Sequence, residues 1–376
     1  PTRRSSDLKI YNLFKRGIIS MKEANRSKWT KIEVIGIILV ISSLLALVFS
    51  PDSLSNLFNS ITAQVFPIVV DVFLTSDVGV AIVVSVIVGR VLERFGFTDA
   101  LIRLFLPIMK ILNINPSVVI PSIYNILGDI NASGKVAGPV LVKAGATKSE
   151  QKIAVATMIQ NPQSFATFVL GIITLSVFKI NSLPLVILSI FLPLIVVPFV
   201  LSKTIYQNTR GVELQQLPRF TPTTPIMKVL FDAGAEGMHL LLLVIIPAVA
   251  VVFSIIGVLD FLGIWSQIQY YLGSVLSVLG IEPSSGIVSF LASPTLAMSQ
   301  IADLVGKIDP RLVVGGFVLA NSGLPLSVIL GQVPVTWAKS TDLTEKEALN
   351  AAVLGCIIRI VTATILAYGL TPFIVG

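Results

Sequence analysis

Apolar residues fall along this chain in long blocks rather than at the alternating positions of half-buried strands, and the blocks predict membrane-spanning helices. Residues 32–50 form the first, closed by Pro51, and residues 77–92, 183–201, 239–259 and 351–370 follow. Each approaches or exceeds the roughly 18 residues that cross a bilayer. Residues 53–76 are more polar, with Asn59, Gln64, Pro67 and Asp71, and predict a helix lying in the interface. Residues 98–112 read the same way, because Arg103 and Lys110 interrupt an otherwise apolar helix, and so does the TPIMKVLFDAGAEGM stretch after Thr224. Residues 116–171 break the pattern. They are apolar enough for membrane depth, yet Pro121, Gly128, Gly134, Gly138, Pro139 and Pro162 interrupt them. Non-helical backbone is tolerated at that depth only where it is buried in protein or lines a wet cavity. In transporters, such discontinuous helices hold the solute.

The interrupted pattern occurs twice. VLERFGF at 91–97 matches VLDFLGI at 258–264, and LNINPSVVI at 112–120 matches LGIEPSSGI at 279–287, both pairs 167 residues apart. Further on, Asn161 and Leu170-Gly171 align with Asn321 and Leu330-Gly331, 160 apart. Charge orients the halves. Arg90, Arg94, Arg103, Lys110, Lys135, Lys143, Lys148 and Lys152 mark the first, whereas residues 258–306 contain no Lys or Arg. Basic loops stay on the cytoplasmic side, so equivalent loops lie on opposite faces and the repeat is inverted. The fold class expected is an all-α polytopic membrane protein of two inverted-topology repeats, with re-entrant segments and broken transmembrane helices. Residues 1–33 are a cytoplasmic tail, 34–50 an anchor, 53–202 and 225–376 the repeats, and 203–224 a cytoplasmic linker. Residues 116–133 re-enter from inside and 283–301 from outside. Residues 149–178 cross with a break at Asn161-Pro162, and 310–337 with a break at Asn321-Ser322-Gly323.

Composition agrees with a membrane protein: 54% hydrophobic and 12% charged, about half the charged share of soluble domains. The net charge of +7 does not point to nucleic acid. Much of it precedes Val34, where basic residues flank the first span, as at a cytoplasmic N-terminus. One Cys and one His exclude a disulfide framework and His-cluster metal chemistry. There is no phosphate-binding loop of the Walker kind and no catalytic motif, so neither an ATP-driven engine nor an enzyme is expected. The opening PTRRSSDL reads as a translated sequencing adapter, which sets the native start at Met21 and removes residues 1–20 from fold reasoning.

Candidate chemistry gathers at the interruptions. A broken helix offers unpaired N–H groups at one half-helix start, suited to an acceptor or anion, and carbonyls at the other half's end, suited to Na⁺. Candidate solute-binding residues are Gln160, Asn161, Gln163 and Ser164 at the first break and Asn321 and Ser322 at the second. Asn131 and Ser133 join them from the first re-entrant segment, and Thr295, Ser299 and Gln300 from the other. Asn161 and Asn321 offer amide donors and acceptors to an uncharged polar ligand, or else cap their half-helices. Asp129, an acid at depth, is the candidate for Na⁺ or H⁺ coupling, or else a cap paired with Lys135. Arg359, inside the last span, is expected to snorkel or to pair with Asp303. Tyr124, Phe165 and Phe168 either stack on a planar ligand or pack against core and lipid. His239, Cys356 and Asp71 read as interface or packing residues.

The segment VLFDAGAEGMHLLLLVIIP at 229–247, followed by VLDFLGI, and the Pro-led re-entrant stretches of both halves resemble the Gate or nucleoside-recognition domain family. That domain occurs in concentrative nucleoside transporters, in Feo-type ferrous-iron transporters and in spore-maturation proteins. The resemblance implies a secondary-active transporter in the plasma membrane. It would carry a small polar solute, nucleoside- or nucleobase-like, by alternating access coupled to Na⁺ or H⁺. It implies that residues 128–133, 160–164, 293–300 and 321–325 hold the solute, although the Glu-containing hairpin motif for ribose contact is not found here. It implies no cofactor, and partners limited to the solute, the lipid bilayer and further copies of the chain in a homo-oligomer. Two alternatives remain: a ferrous-iron-type gate with Met158 and Met298 as the nearest soft ligands, and a non-transporting membrane partner.

Overall fold

Apolar blocks punctuated by proline and glycine become helices, and the computed structural model describes residues 29–128, 130–212 and 219–375. The expectations for residues 1–20 and Asp129 lie outside the described residues, as does the Asn131 side chain. The chain divides into two compact units, Pro1–Asn59 and Ser60–Gly376. In the first, helix α1 (Lys31–Phe49) is opened by a capping box: Thr30 Oγ1 accepts from Glu33 N, and the Glu33 carboxylate accepts from Thr30 N. No residue of α1 is buried, as a helix with apolar residues all round requires if lipid surrounds it.

Helix α2 (Pro51–Leu74) begins in that unit. Its 24 residues are long and apolar enough to cross a membrane, where a helix lying in the interface was expected. One of the polar residues that suggested the interface, Gln64, is used against another helix, as is Ser60. Ser60 Oγ donates to Gly257 O at 2.9 Å and Gln64 Nε2 to Asp260 Oδ2 at 3.3 Å. After α3 (Asp77–Arg94) and α4 (Phe97–Ile111), the chain forms α5 (Pro116–Leu127), α6 (Ile130–Lys143), α7 (Lys148–Met158), α8 (Phe165–Val177) and α9 (Ser182–Lys203). The second half runs α10 (Ile226–Phe261), α11 (Trp265–Val278), α12 (Pro283–Leu291), α13 (Pro294–Ala302), α14 (Pro310–Ala320), α15 (327–340), α16 (Glu345–Gly369) and α17 (Thr371–Ile374). Helix α10 is one 36-residue run, so the second expected interfacial stretch is also the start of a long helix. Its acid Glu236 is held by Arg90 of α3, 2.5 Å away. Five described helices are long and apolar enough to cross a membrane: α1, α2, α9, α10 and α16. Helices α11 and α12, bent by 111°, would make a sixth. Helix α3, with Asp77, Arg90, Glu93 and Arg94, is not among them, although a span was expected there.

The hairpins of the two halves, α5 with α6 and α12 with α13, are built alike at their starts, and the reason is local. Both hairpins open with an acceptor side chain, proline and serine. Asn115 Oδ1 accepts from Ser117 N, and the Glu282 carboxylate accepts from Ser284 N and Ser285 N. Proline at the first helical position costs nothing, since its N–H would be unpaired there anyway. Left-handed residues close the preceding turns at matching positions, Gly96 and Gly263, then Asn113 and Gly280. Both pairs are 167 residues apart, the spacing of the sequence repeat. Contacts across the halves are reciprocal: α6 packs against α15, and α13 against α8.

Helix α16 serves as a ruler of about 37 Å at 1.5 Å per residue. Near its start Glu347 meets Lys152 of α7 at 2.9 Å, and Asp342 N donates to Gln151 Oε1 at 3.0 Å. At its far end Tyr368 Oη donates to Val278 O at 2.8 Å. The first hairpin starts at the near end, where Asn115 N donates to Glu150 Oε1 at 2.8 Å. The second starts at the far end, where Glu282 N meets Leu312 O at 3.3 Å. The path from α7 to α8 therefore runs from near to far, and that from α14 to α15 from far to near.

Candidate functional site

At the first break, α7 stops at Met158 and α8 starts at Phe165, because Pro162 cannot supply the next ladder N–H. The freed groups are taken by the first hairpin. Asn125 Nδ2 donates to Pro162 O at 2.8 Å, and Ile130 N to Gln163 O at 3.3 Å. In return Asn161 Nδ2 donates to Ser122 O at 3.0 Å. Ser122, Asn125 and Asn161 are fully buried. Each keeps an oxygen with no hydrogen-bond partner: Ser122 Oγ, Asn125 Oδ1 and Asn161 Oδ1. Buried acceptors are rarely left so. Asn161 reaches the Ser122 carbonyl and Asn125 the Pro162 carbonyl, so the three residues flank the break with more open oxygens than donors. Gln160 is turned the other way, its Nε2 donating to Gly355 O of α16 at 2.9 Å.

At the second break, α14 ends at Ala320 and Pro325 lies four residues after Asn321. Asn321 O has no helical donor, since the residue four positions on is a proline. Val318 O loses its own because Ser322 N turns to Ala320 O. Both carbonyls are taken by Arg359. Its Nε donates to Val318 O at 2.7 Å and its Nη2 to Asn321 O at 2.5 Å. Its Nη1 donates to Ser189 O, the carbonyl that Pro193 leaves without a ladder partner in α9. Arg359 is 0% exposed. It neither snorkels nor meets Asp303, which is exposed. The expected behaviour is corrected by the backbone: three orphaned carbonyls in the protein interior outcompete a distant carboxylate.

The two breaks meet, with Gly323 N donating to Ile159 O at 3.0 Å. The second hairpin closes the group from the other side. Thr167 Oγ1 and Thr295 Oγ1 are 2.9 Å apart, Thr174 Oγ1 donates to Met298 O at 3.1 Å, and Asn321 Nδ2 lies 3.9 Å from Met298 Sδ. Asn321 fits because Gly171 faces it: a Cβ there would come within 2.6 Å of Asn321 Nδ2. The start of α6, the start of α8, helix α13 and the end of α14 are thereby joined through hydrogen bonds and close contacts at the breaks.

The sequence-predicted residues divide by exposure. Ser133, Gln160, Asn161, Asn321 and Ser322 are fully buried and Thr295 nearly so. Ser133 Oγ donates to Pro121 O at 2.6 Å, Asn321 Nδ2 to Phe317 O at 3.2 Å, and Ser322 Oγ to Leu319 O. Asn321 Oδ1 and Gln160 Oε1 remain unpartnered. Gln163, Ser164, Ser299 and Gln300 are half-buried. Gln300 sits apart, lining a cleft with Gln64, Trp265, Gln269 and Ser284 behind the second hairpin. Phe165 and Phe168 stack on each other at 5.8 Å, and Tyr124 packs on Phe220. Ser122 and Asn125 were missed, although their spacing of three puts both on one face of α5 beside the break.

No family model matches the chain, and no curated protein matches it. Solved structures do. The chain is similar to CNTnw, a concentrative nucleoside transporter, in an inward-facing substrate-bound state, with a TM-score of 0.56 at 15% identity over 86% of this chain and 85% of that one. A doubly substituted form of CNTnw in an outward-facing state gives a TM-score of 0.52 at 15% identity over 89% and 83%. A singly substituted form in its intermediate 3 state gives 0.53 at 16% identity over 93% and 90%. At this identity the likeness establishes the fold.

Proposed function

We propose that this chain is a secondary transporter moving a small polar solute, nucleoside- or nucleobase-like, by alternating access. The observation that carries the reading is the meeting of two broken helices and two hairpin tips, with amide oxygens left unpartnered at both breaks. The likeness to three states of one nucleoside transporter supports the same reading, because a fold seen facing inward, outward and between is one that rearranges around a site. Matching elements that run in opposite directions along α16 support an inverted repeat, the arrangement that gives two facing states of similar energy. Half-helix N-termini at Phe165 and Pro294 present N–H groups to the solute's acceptors. Half-buried Gln163 and Ser164 supply further donors and acceptors.

The coupling ion is Na⁺, held by Ser122 Oγ, Asn125 Oδ1 and Asn161 Oδ1 at the first break. Hard cations take oxygen ligands, and these three oxygens have no hydrogen-bond partner in the protein. Asp129, which precedes α6 in the sequence, remains the candidate acid for ion coupling.

The test is a thermal-shift panel on the purified chain with nucleosides, nucleobases, amino acids and divalent metals, each with and without Na⁺. Stabilisation by a nucleoside or nucleobase that is larger with Na⁺ is the expected result. A response to divalent metals alone would instead identify a metal gate, and no response to any member would contradict a solute carrier.

A further inference from the structure

The two breaks solve one electrostatic problem in different ways. A helix that stops at membrane depth leaves carbonyls and the negative end of its dipole facing inward. At the first break neutral amides meet the backbone groups, with Asn125 and Asn161 as donors, and their own oxygens are left open. At the second break the carbonyls of Val318 and Asn321 are met by a guanidinium. That guanidinium is 0% exposed and no described salt bridge includes it. A buried charge without a counter-ion is costly. It persists only where fixed dipoles replace the water it lost, and here three orphaned carbonyls do so.

From this juxtaposition we infer that Arg359 is a built-in cation: it occupies at the second break the electrostatic position that a dissociable Na⁺ takes at the first. The chain thus carries one exchangeable cation site and one permanently filled site. The comparison of sites rests on the transporter reading, while the role of Arg359 does not. Two features of the fold prepare its place. Pro193 frees Ser189 O in α9 and Pro325, in the second break, leaves Asn321 O without a ladder donor, so prolines in two separate segments create acceptors for the same side chain. Arg359 reaches them from α16 along a face of small residues, Ala351, Gly355, Ala363 and Ala367, all buried, which lets the broken helices come close. A fixed charge cannot dissociate, so the second break stays satisfied through the cycle while the first gains and loses its ion. The expected stoichiometry is one cation per solute.

The experiment compares the full-length chain with Arg359→Met and Arg359→Lys by thermal unfolding. Na⁺ is titrated against choline at constant ionic strength, and separate samples contain methylguanidinium at low millimolar concentration. For the unmodified chain the melting midpoint rises with log[Na⁺] at the slope of one site. Arg359→Met melts several degrees lower without Na⁺, recovers with methylguanidinium, and at high Na⁺ shows twice the slope, because Na⁺ now fills both breaks. Arg359→Lys keeps its cation and the single-site slope. The inference is overturned if Arg359→Met melts like the unmodified chain, or if it is destabilised but indifferent to both Na⁺ and methylguanidinium. It is also overturned if Arg359→Lys is as damaged as Arg359→Met. Should Arg359→Met fail to fold, Arg359→Lys decides: a folded protein with the single-site slope supports a fixed cation, and failure to fold or a second Na⁺ step refutes it. Absence of any Na⁺ response in the unmodified chain would count against Na⁺ coupling alone, since rescue by methylguanidinium still reports on Arg359.

Discussion

Asn125 does two jobs with one side chain: its Nδ2 satisfies Pro162 O, and its Oδ1 faces a place with no protein donor. The substitution Asn125→Leu separates them. Losing the donor leaves a buried carbonyl unpaired and lowers stability by about 1–3 kcal/mol, whether or not salt is present. Losing the acceptor removes the Na⁺-dependent part of the melting midpoint, which a titration of Na⁺ against choline reads independently. A variant with lower stability but an unchanged Na⁺ response would place the ion elsewhere. The sequence exposed Asn161 and Asn321 because they stand beside Pro162 and Gly323, where a helix must break. It hid Asn125 and Ser122 because nothing in the pattern of a short apolar helix says which face meets a break 37 residues away. Arg359 was visible as a charge in an apolar block, but its partners are main-chain carbonyls freed by Pro193 and Pro325. A search for a complementary acid therefore could not find them.

Elements carry the next level of constraint. Helix α16 lies against α7 at Gly355, where a Cβ would come within 2.8 Å of Ala156 O and 2.9 Å of the Ile159 side chain. Both neighbours belong to the broken segment, and neither is a flexible side-chain end. Gly355→Val should therefore overpack the contact and cost about 1–3 kcal/mol. It should also weaken solute-dependent stabilisation, since Gln160 donates to Gly355 O beside the same break. Thermal unfolding with and without the best panel ligand checks both effects, and an unchanged midpoint would contradict this close approach of the helices. Breaks and hairpin starts were readable because Pro, Gly and Asn act locally. Helices α2 and α10 are long and apolar enough to cross a membrane, a property that their polar residues hid in the sequence. In the fold Ser60, Gln64 and Glu236 are spent on partners in other helices, a use that single-chain hydropathy does not distinguish from exposure.

At the scale of the whole chain, the proposed inverted repeat sets two copies of one arrangement in the membrane in opposite senses, meeting at their breaks. The sequence carried this in a spacing of 167 residues and in the uneven placement of Lys and Arg. The structure adds left-handed residues at matching positions and hairpins that start at opposite ends of α16. Whether those ends face opposite compartments is open to direct measurement. Single cysteines at Lys148 and Lys307, both exposed, would be placed in a Cys356→Ala background and treated with a membrane-impermeant maleimide, before and after the membrane is opened. The inverted arrangement predicts that one site is labelled in sealed membranes and the other only once they are opened. Labelling of both from the same side would contradict it.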